Sequence, residues 1–344
     1  MPETSGVRRR ASRSTGRLTL RDVAERAGVS PITASRALRG VGRVDPQLAQ
    51  RVREAARALN YVPDPAARAL ASARSRVVVL LVPSLSNQVF MELIEAVHDV
   101  LEPAGYQVLI GNTRYDPDVQ ERLLHQYLSH RPSGLLLTRS DQTDGARALT
   151  DRSGVPYVYL MDLGHDGAHY VGLSQQAAGR CVAEHLMAAG RRRIAFVAAQ
   201  LDTRTQQREA GYRDALAAAG LYDADLSVLT PERSSIGLGA QLMRRLVSRR
   251  PDVDAIFFNN DDLAQGALLE ALRLRIRVPD QVAIVGFNDL EGSEHVVPRL
   301  TTVRTPRAEI GRQSATMLLA LMQGDRIARP ALDVGFELVI RESA

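Results

Sequence analysis

The 344 residues carry 45% hydrophobic and 24% charged side chains, an ordinary balance for two or three globular units. No apolar run approaches the eighteen residues of a membrane span, and the lone cysteine, Cys181, rules out an internal disulfide or a multi-thiolate metal site. The net charge of +5 is uneven, because residues 1–76 hold sixteen arginines against six acids, leaving −5 on the other 268.

In chain order, residues 1–17 are basic with no apolar core behind them, so they read as a disordered arm rather than a secretory signal. A reducing cytoplasm suits one thiol. Thr19 then caps a helix, with Asp22 completing a short capping box. Leu20, Val23, Ala24 and Ala27 form its apolar stripe, and Gly28 stops it. Ser30 caps a second helix whose first residue, Pro31, needs no amide hydrogen there. Ile32, Ala34, Ala37 and Leu38 supply its less polar positions before Gly40. Asp45-Pro46 repeats the device, and Leu48, Val52, Ala55, Ala56 and Leu59 line a third helix ending near Asn60. Asp64-Pro65 starts a fourth, too short to persist alone.

From Arg76 the texture changes. RVVVLLV (76–82), QVLIG (107–111), GLLLT (134–138), VPYVYL (155–160) and HYVGL (169–173) predict strands. RIAFVAA (193–199), DAIFFNND (254–261) and QVAIVGF (281–287) continue the series, with helical stretches at 89–101, 177–189 and 208–219. Unbroken β-branched runs alternating with helices predict parallel sheets covered on both faces, in two doubly wound units.

Two helices joined by AGVS (27–30) make a helix-turn-helix, in which the second helix offers its early residues to the major groove. Thr33, Ser35 and Arg36 then suit base edges or phosphates; a plain three-helix bundle is the alternative. At this point the sequence resembles the LacI family of bacterial repressors. TLRDVAERAGVSPITASRALRG and RVREAARALNYVPDPAARALA carry the likeness over 19–71, and VPSLSNQVF, NNDDLAQGALLEAL, VPDQVAIVGFNDL and LTTVRTPRAEIG extend it over the rest.

The resemblance implies an N-terminal all-α helix-turn-helix domain with a hinge helix. An α/β periplasmic-binding-protein-like domain of two doubly wound parallel-sheet subdomains follows. The implied divisions are an arm at 1–17, the DNA-binding domain at 18–62, and hinge helix and linker at 63–75. An effector-binding and dimerisation domain spans 76–344, with one lobe at about 76–173 plus 303–334 and the other at about 174–300 plus 335–344. It implies DNA contacts by Thr19, Ser30, Pro31, Ile32, Thr33, Ser35, Arg36, Arg43, Asn60, Tyr61, Arg68 and Leu70, the last as a minor-groove wedge.

For the effector it implies Asn87, Gln88, Phe90, Met161, Asp162, Arg208, Asn260, Phe287 and Asn288. Arg204 lies one turn before Arg208, so both guanidiniums could face one anion, or Arg204 could simply contact Asp202. Plainer roles stay open for Asn260 (strand-end turn), Phe287 (core) and Arg208 (surface ion pair). Asn288, Ser174 and Gln175 stand where many sugar-binding relatives carry Asp, Asp and Asn, which favours a sugar acid. LLVPSLSNQVFMELI and LDTRTQQREAGYRDAL are similar to the gluconate-operon repressor branch.

The implied partners are a double-stranded pseudopalindromic operator, gluconate or a related sugar acid, and a second copy of the chain, with no membrane. No cofactor is implied, and no HExxH or GxSxG motif points to an enzyme. A regulator answering a neutral sugar or a corepressor, a solute-binding protein and an architectural DNA-binding protein are the competing readings.

Overall fold

A computed structural model describes residues 18–40, 42–62, 75–138, 142–164 and 167–344. They fall into two units, divided after Ser75. The arm at 1–17 and the fourth helix, with Arg68 and Leu70, lie outside the described residues.

The first unit holds three helices, α1 (Leu20–Ala27), α2 (Pro31–Arg39) and α3 (Pro46–Ala58). Each begins where a polar side chain can satisfy free amides. The Asp22 carboxylate accepts the Thr19 amide and hydroxyl, each at 2.7 Å. Ser30 Oγ accepts the Thr33 amide at 3.1 Å, and Asp45 accepts those of Gln47 and Leu48. Gly28 and Gly40 end α1 and α2 in the left-handed conformation. The core is small and alanine-rich: Val23, Ala24, Ala27, Ala34, Ala37, Val52, Ala55 and Ala56. Ile32 does not join it. With 66% of its surface exposed, it stands on the opposite side of α2 from Ala34 and Ala37, against the packing role its hydrophobicity suggests.

The second unit contains two six-stranded sheets. The first is built from β1 (Val77–Val82), β2 (Gln107–Asn112), β3 (Gly134–Thr138), β4 (Tyr157–Leu160) and β5 (Tyr170–Gly172). Three helices connect them: α4 (Met91–Leu101), α5 (Pro117–Leu128) and α6 (Asp144–Arg152). The chain crosses to the second sheet through α7 (Gln175–Ala188), continuing with β6 (Ile194–Ala199), α8 (Thr203–Ala218), β7 (Ser227–Thr230) and α9 (Ile236–Arg249). Then come β8 (Ala255–Phe258), α10 (Asp261–Leu274), β9 (Ala283–Asn288), the short α11 (Gly292–His295) and β10 (Thr301–Arg304). A return crossing leads into α12 (Arg307–Gln323) and β11 (Ala331–Asp333), and a third into β12 (Glu337–Val339).

Strand orders are β11-β5-β4-β3-β1-β2 and β12-β10-β9-β8-β6-β7. Every pairing is parallel except β10 with β12. Strands β3, β6, β8 and β9 are buried throughout, which is why they read as unbroken apolar runs. Strands β7, β11 and β12 are short, partly exposed and lie at sheet edges, so no such run announces them. Because β10 pairs with β9 as far as Arg304, the second lobe runs to that residue, beyond the boundary near 300 set from sequence.

Two helix pairs are drawn together by glycines. A Cβ on Gly211 of α8 would lie 1.9 Å from the Gln176 carbonyl oxygen, and one on Gly179 of α7 would lie 2.1 Å from that of Arg208. Gly266 of α10 and Gly239 of α9 repeat the arrangement, at 1.9 Å from the Ile236 oxygen and 2.2 Å from the Leu263 oxygen. The first crossing sets Arg208 against the start of α7.

Candidate functional site

Parallel strands of a doubly wound sheet deliver their following loops to one edge. In the second unit both sheets do so towards a shared cleft. The first lobe supplies Asn87, Val89 and Phe90 after β1, Tyr115 after β2 and Met161 after β4. From the second come Gln200, Asp202, Arg204, Thr205 and Arg208 after β6, Asn259 and Asn260 after β8, and Asn288 at the end of β9. Tyr115, Met161, Gln200 and Asn288 all have positive φ, between 53° and 113°. Such backbone is uncommon outside glycine and concentrates at binding sites.

Asn259 braces the floor. Its Nδ2 donates to the Ala199 carbonyl at 2.9 Å and to Thr205 Oγ1 at 3.0 Å, while its Oδ1 accepts the Ala199 amide at 3.2 Å. Arg208 donates from Nη1 to the Asn259 carbonyl at 2.7 Å and from Nε to Gln175 Oε1 at 2.8 Å. Gln175 in turn donates to the Met161 carbonyl at 3.0 Å, joining the arginine to the other lobe. The Arg208 guanidinium rests 3.7 Å above the Phe287 ring centroid. No carboxylate hydrogen-bonds to it among the described residues, and burial pushes its pKa down to about 9. It is still cationic at neutral pH, and its charge is under-compensated.

Arg204 is different. It donates to Asp202 Oδ2 at 2.5 and 3.1 Å, and both groups are buried. Burial opposes the Asp202 charge, but Arg204, the Thr205 amide and Arg208 outweigh it and hold the carboxyl below its ordinary range. The plainer of the two sequence readings of Arg204 therefore describes its bonding, although its edge still lines the cleft beside Phe90. Asn87 donates to the Tyr115 hydroxyl at 3.1 Å, and burial raises the pKa of that phenol.

Seven of the ten anticipated effector residues line the cleft: Asn87, Phe90, Met161, Arg204, Arg208, Asn260 and Asn288. Gln88 is exposed outside it, and Asp162 is buried behind Met161, accepting the Leu163 amide at 2.8 Å. Phe287 is fully buried beneath Arg208, so it supports a cation rather than a ligand ring. Asn260 also caps α10, accepting the Leu263 amide at 3.1 Å and the Ser234 hydroxyl at 2.8 Å. Tyr115, Gln200, Thr205 and Asn259 were missed. Only Asn259 had a visible signal, its place in the strand-end run NNDD.

In the first unit Pro31, Ile32, Arg36 and Arg43 are exposed, and Thr33 and Ser35 half-buried. The Ser30 and Thr33 hydroxyls lie 2.9 Å apart and are engaged in the cap. Thr19 is likewise held in its capping box. Asn60 adopts φ 48° after α3, and Tyr61 packs at the rim of the small core. Ile32 and Arg36, one turn apart, therefore share one open face of α2.

Among the described residues no cluster of His, Cys, Asp or Glu could hold a metal ion, and no helix is long and apolar enough to cross a membrane. Residues 19–64 match the bacterial regulatory proteins of the lacI family, and residues 183–344 match a periplasmic binding protein-like domain. The chain is 56% identical to the HTH-type transcriptional regulator GntR of Pseudomonas aeruginosa, over 96% of this chain and 97% of that one. A LacI-family transcriptional regulator from Silicibacter pomeroyi superposes with a TM-score of 0.89 at 34% identity, covering 95% and 99% of the two chains. The Lac repressor dimer bound to operator and the anti-inducer ONPF gives 0.84 at 26% identity, covering 95% and 99%. With both units matched in one continuous chain, the protein belongs to the LacI family of bacterial regulatory proteins.

Proposed function

We propose that the protein is a ligand-responsive transcriptional repressor. As a homodimer it holds a pseudopalindromic operator through paired copies of the first unit, and a sugar acid in the cleft releases it. The observation behind the acid ligand is Arg208. Among the described residues Asp202 is the carboxylate that lines the cleft and it is bonded to Arg204, while the Arg208 guanidinium hydrogen-bonds to no carboxylate. Asn288 and Asn260 add neutral donors and acceptors suited to hydroxyls. Gluconate combines one carboxylate with a polyol chain and is the first candidate. The test selects a duplex from a random pool with the full chain and titrates the complex with gluconate, glucose and adenine. Release by gluconate alone is the expected result. Release by glucose alone would sink the acid assignment, and failure to select any sequence would sink the repressor itself.

The exposed face of α2 also makes a prediction about the operator. Ile32 cannot hydrogen-bond to a base edge, so it discriminates through the thymine methyl, while Arg36 suits guanine. Replacing single thymines of the selected duplex by deoxyuridine should weaken binding about fourfold at one position per half-site, equivalent to about 0.8 kcal/mol per buried methyl. That sensitivity should vanish in Ile32→Ala. A thymine effect that survives in the variant would assign methyl readout to another residue.

A further inference from the structure

Arg307 opens α12 and is only 6% exposed; it lies within LTTVRTPRAEIG, where nothing in the sequence sets it apart from its neighbours. Helix α12 packs along α4 of the first lobe so closely that a Cβ on Gly311 would lie 2.5 Å from the Leu93 carbonyl oxygen. On α4, Glu92 Oε1 accepts from Arg307 Nη2 at 2.6 Å. From this base the guanidinium reaches into the second lobe. Nη1 donates to the carbonyl of Asn288, and Nη2 lies 3.5 Å from that of Asp289.

Those two carbonyls belong to the turn at the end of β9, where Asn288 lines the cleft. Asn288 and Asp289 have φ of 113° and 53°. Neither is glycine, so the turn is held in place by its surroundings. The second lobe supplies half of that hold: Arg304 and Arg341 each donate to the Asp289 carboxylate at 2.8 Å. The first lobe supplies the other half through Arg307. In addition, Arg307 Nε is buried with no acceptor among the described residues. A buried unmade hydrogen bond is costly, and it leaves a donor ready for a shifted position of the same turn.

We infer that Arg307, aimed by Glu92, is the positioning residue that converts occupation of the cleft at Asn288 into a change of angle between the lobes. The inference rests on the effector reading above. A charge-assisted contact from a buried guanidinium is strong and directional, so the turn and the lobe angle are coupled through Arg307. A ligand that bonds to Asn288 biases the turn, and Arg307 passes that bias to α12 and α4. Differential ligand affinity for two lobe arrangements then does the work.

The test measures three quantities for the full chain and for Glu92→Gln and Arg307→Lys: operator affinity without ligand, gluconate affinity, and the factor by which saturating gluconate weakens operator binding. Glu92→Gln alters a half-exposed side chain, so it keeps the test open should the lysine variant fold poorly. The expected result is that both affinities of Glu92→Gln stay within threefold of the wild type while the release factor falls at least fivefold. An unchanged release factor in Glu92→Gln overturns the inference, as does loss of gluconate binding, which would make Glu92 part of the ligand site. A wild-type chain that binds operator but ignores gluconate removes the effector reading instead, and this inference with it.

Discussion

Arg208→Met is expected to lose gluconate binding by at least thirtyfold while leaving operator affinity without ligand within threefold of the wild type. Methionine fills much of the volume but removes the cation that, among the described lining residues, hydrogen-bonds to no carboxylate. Loss of a buried charge-assisted pair costs about 2–5 kcal/mol, equivalent to thirtyfold or more. The substitution also strips donors from Gln175 Oε1 and the Asn259 carbonyl, so unfolding free energy should drop by about 1–3 kcal/mol. Calorimetric titration with gluconate, paired with operator binding of the free protein, separates the two effects. Gluconate affinity unchanged in a folded Arg208→Met chain would move the carboxylate elsewhere in the cleft.

Gly211→Ala is expected to destabilise the second unit by about 3 kcal/mol, whereas Gly237→Ala, chemically the same change, should be neutral or stabilising by up to about 1 kcal/mol. Both glycines are helical. At Gly211 the new methyl would meet a backbone oxygen at 1.9 Å, which no side-chain rotation relieves, so α7 and α8 must separate. At Gly237 the nearest atom is the Ser235 hydroxyl at 4.0 Å. Because Gln175 and Arg208 meet across that same crossing, Gly211→Ala should also weaken gluconate binding. Denaturant midpoints for the two variants check the contrast, and shifts within 0.5 kcal/mol of each other would contradict it.

Much of this architecture was open to reading because its signals are local. Caps at Thr19, Ser30 and Asp45 act within a few residues, and left-handed glycines at 28 and 40 mark helix ends. Buried parallel strands such as β3 and β9 announce themselves as apolar runs. Position in a recognised family pattern brought Asn87, Arg208 and Asn288 to the cleft, since strand-end loops converge wherever such sheets face each other.

Pairing was another matter. Arg204 and Arg208 sit one turn apart on the same helix and look equivalent in sequence, yet Asp202 pairs with the first and, among the described residues, no carboxylate hydrogen-bonds to the second. Phe287 could not be told from a ligand-facing ring until Arg208 was seen lying on it. Tyr115 reaches the cleft only because a left-handed turn aims it there, and Arg307 matters only because its helix meets Glu92 some two hundred positions earlier. The sequence by itself determined the capped helices, the buried parallel strands and part of the polar cast of the cleft, because those follow from neighbours along the chain. Which charges are spent, which aromatic is floor and which arginine ties the lobes together were decided by tertiary structure alone, because compensation of a buried charge depends on groups remote in sequence and adjacent in space.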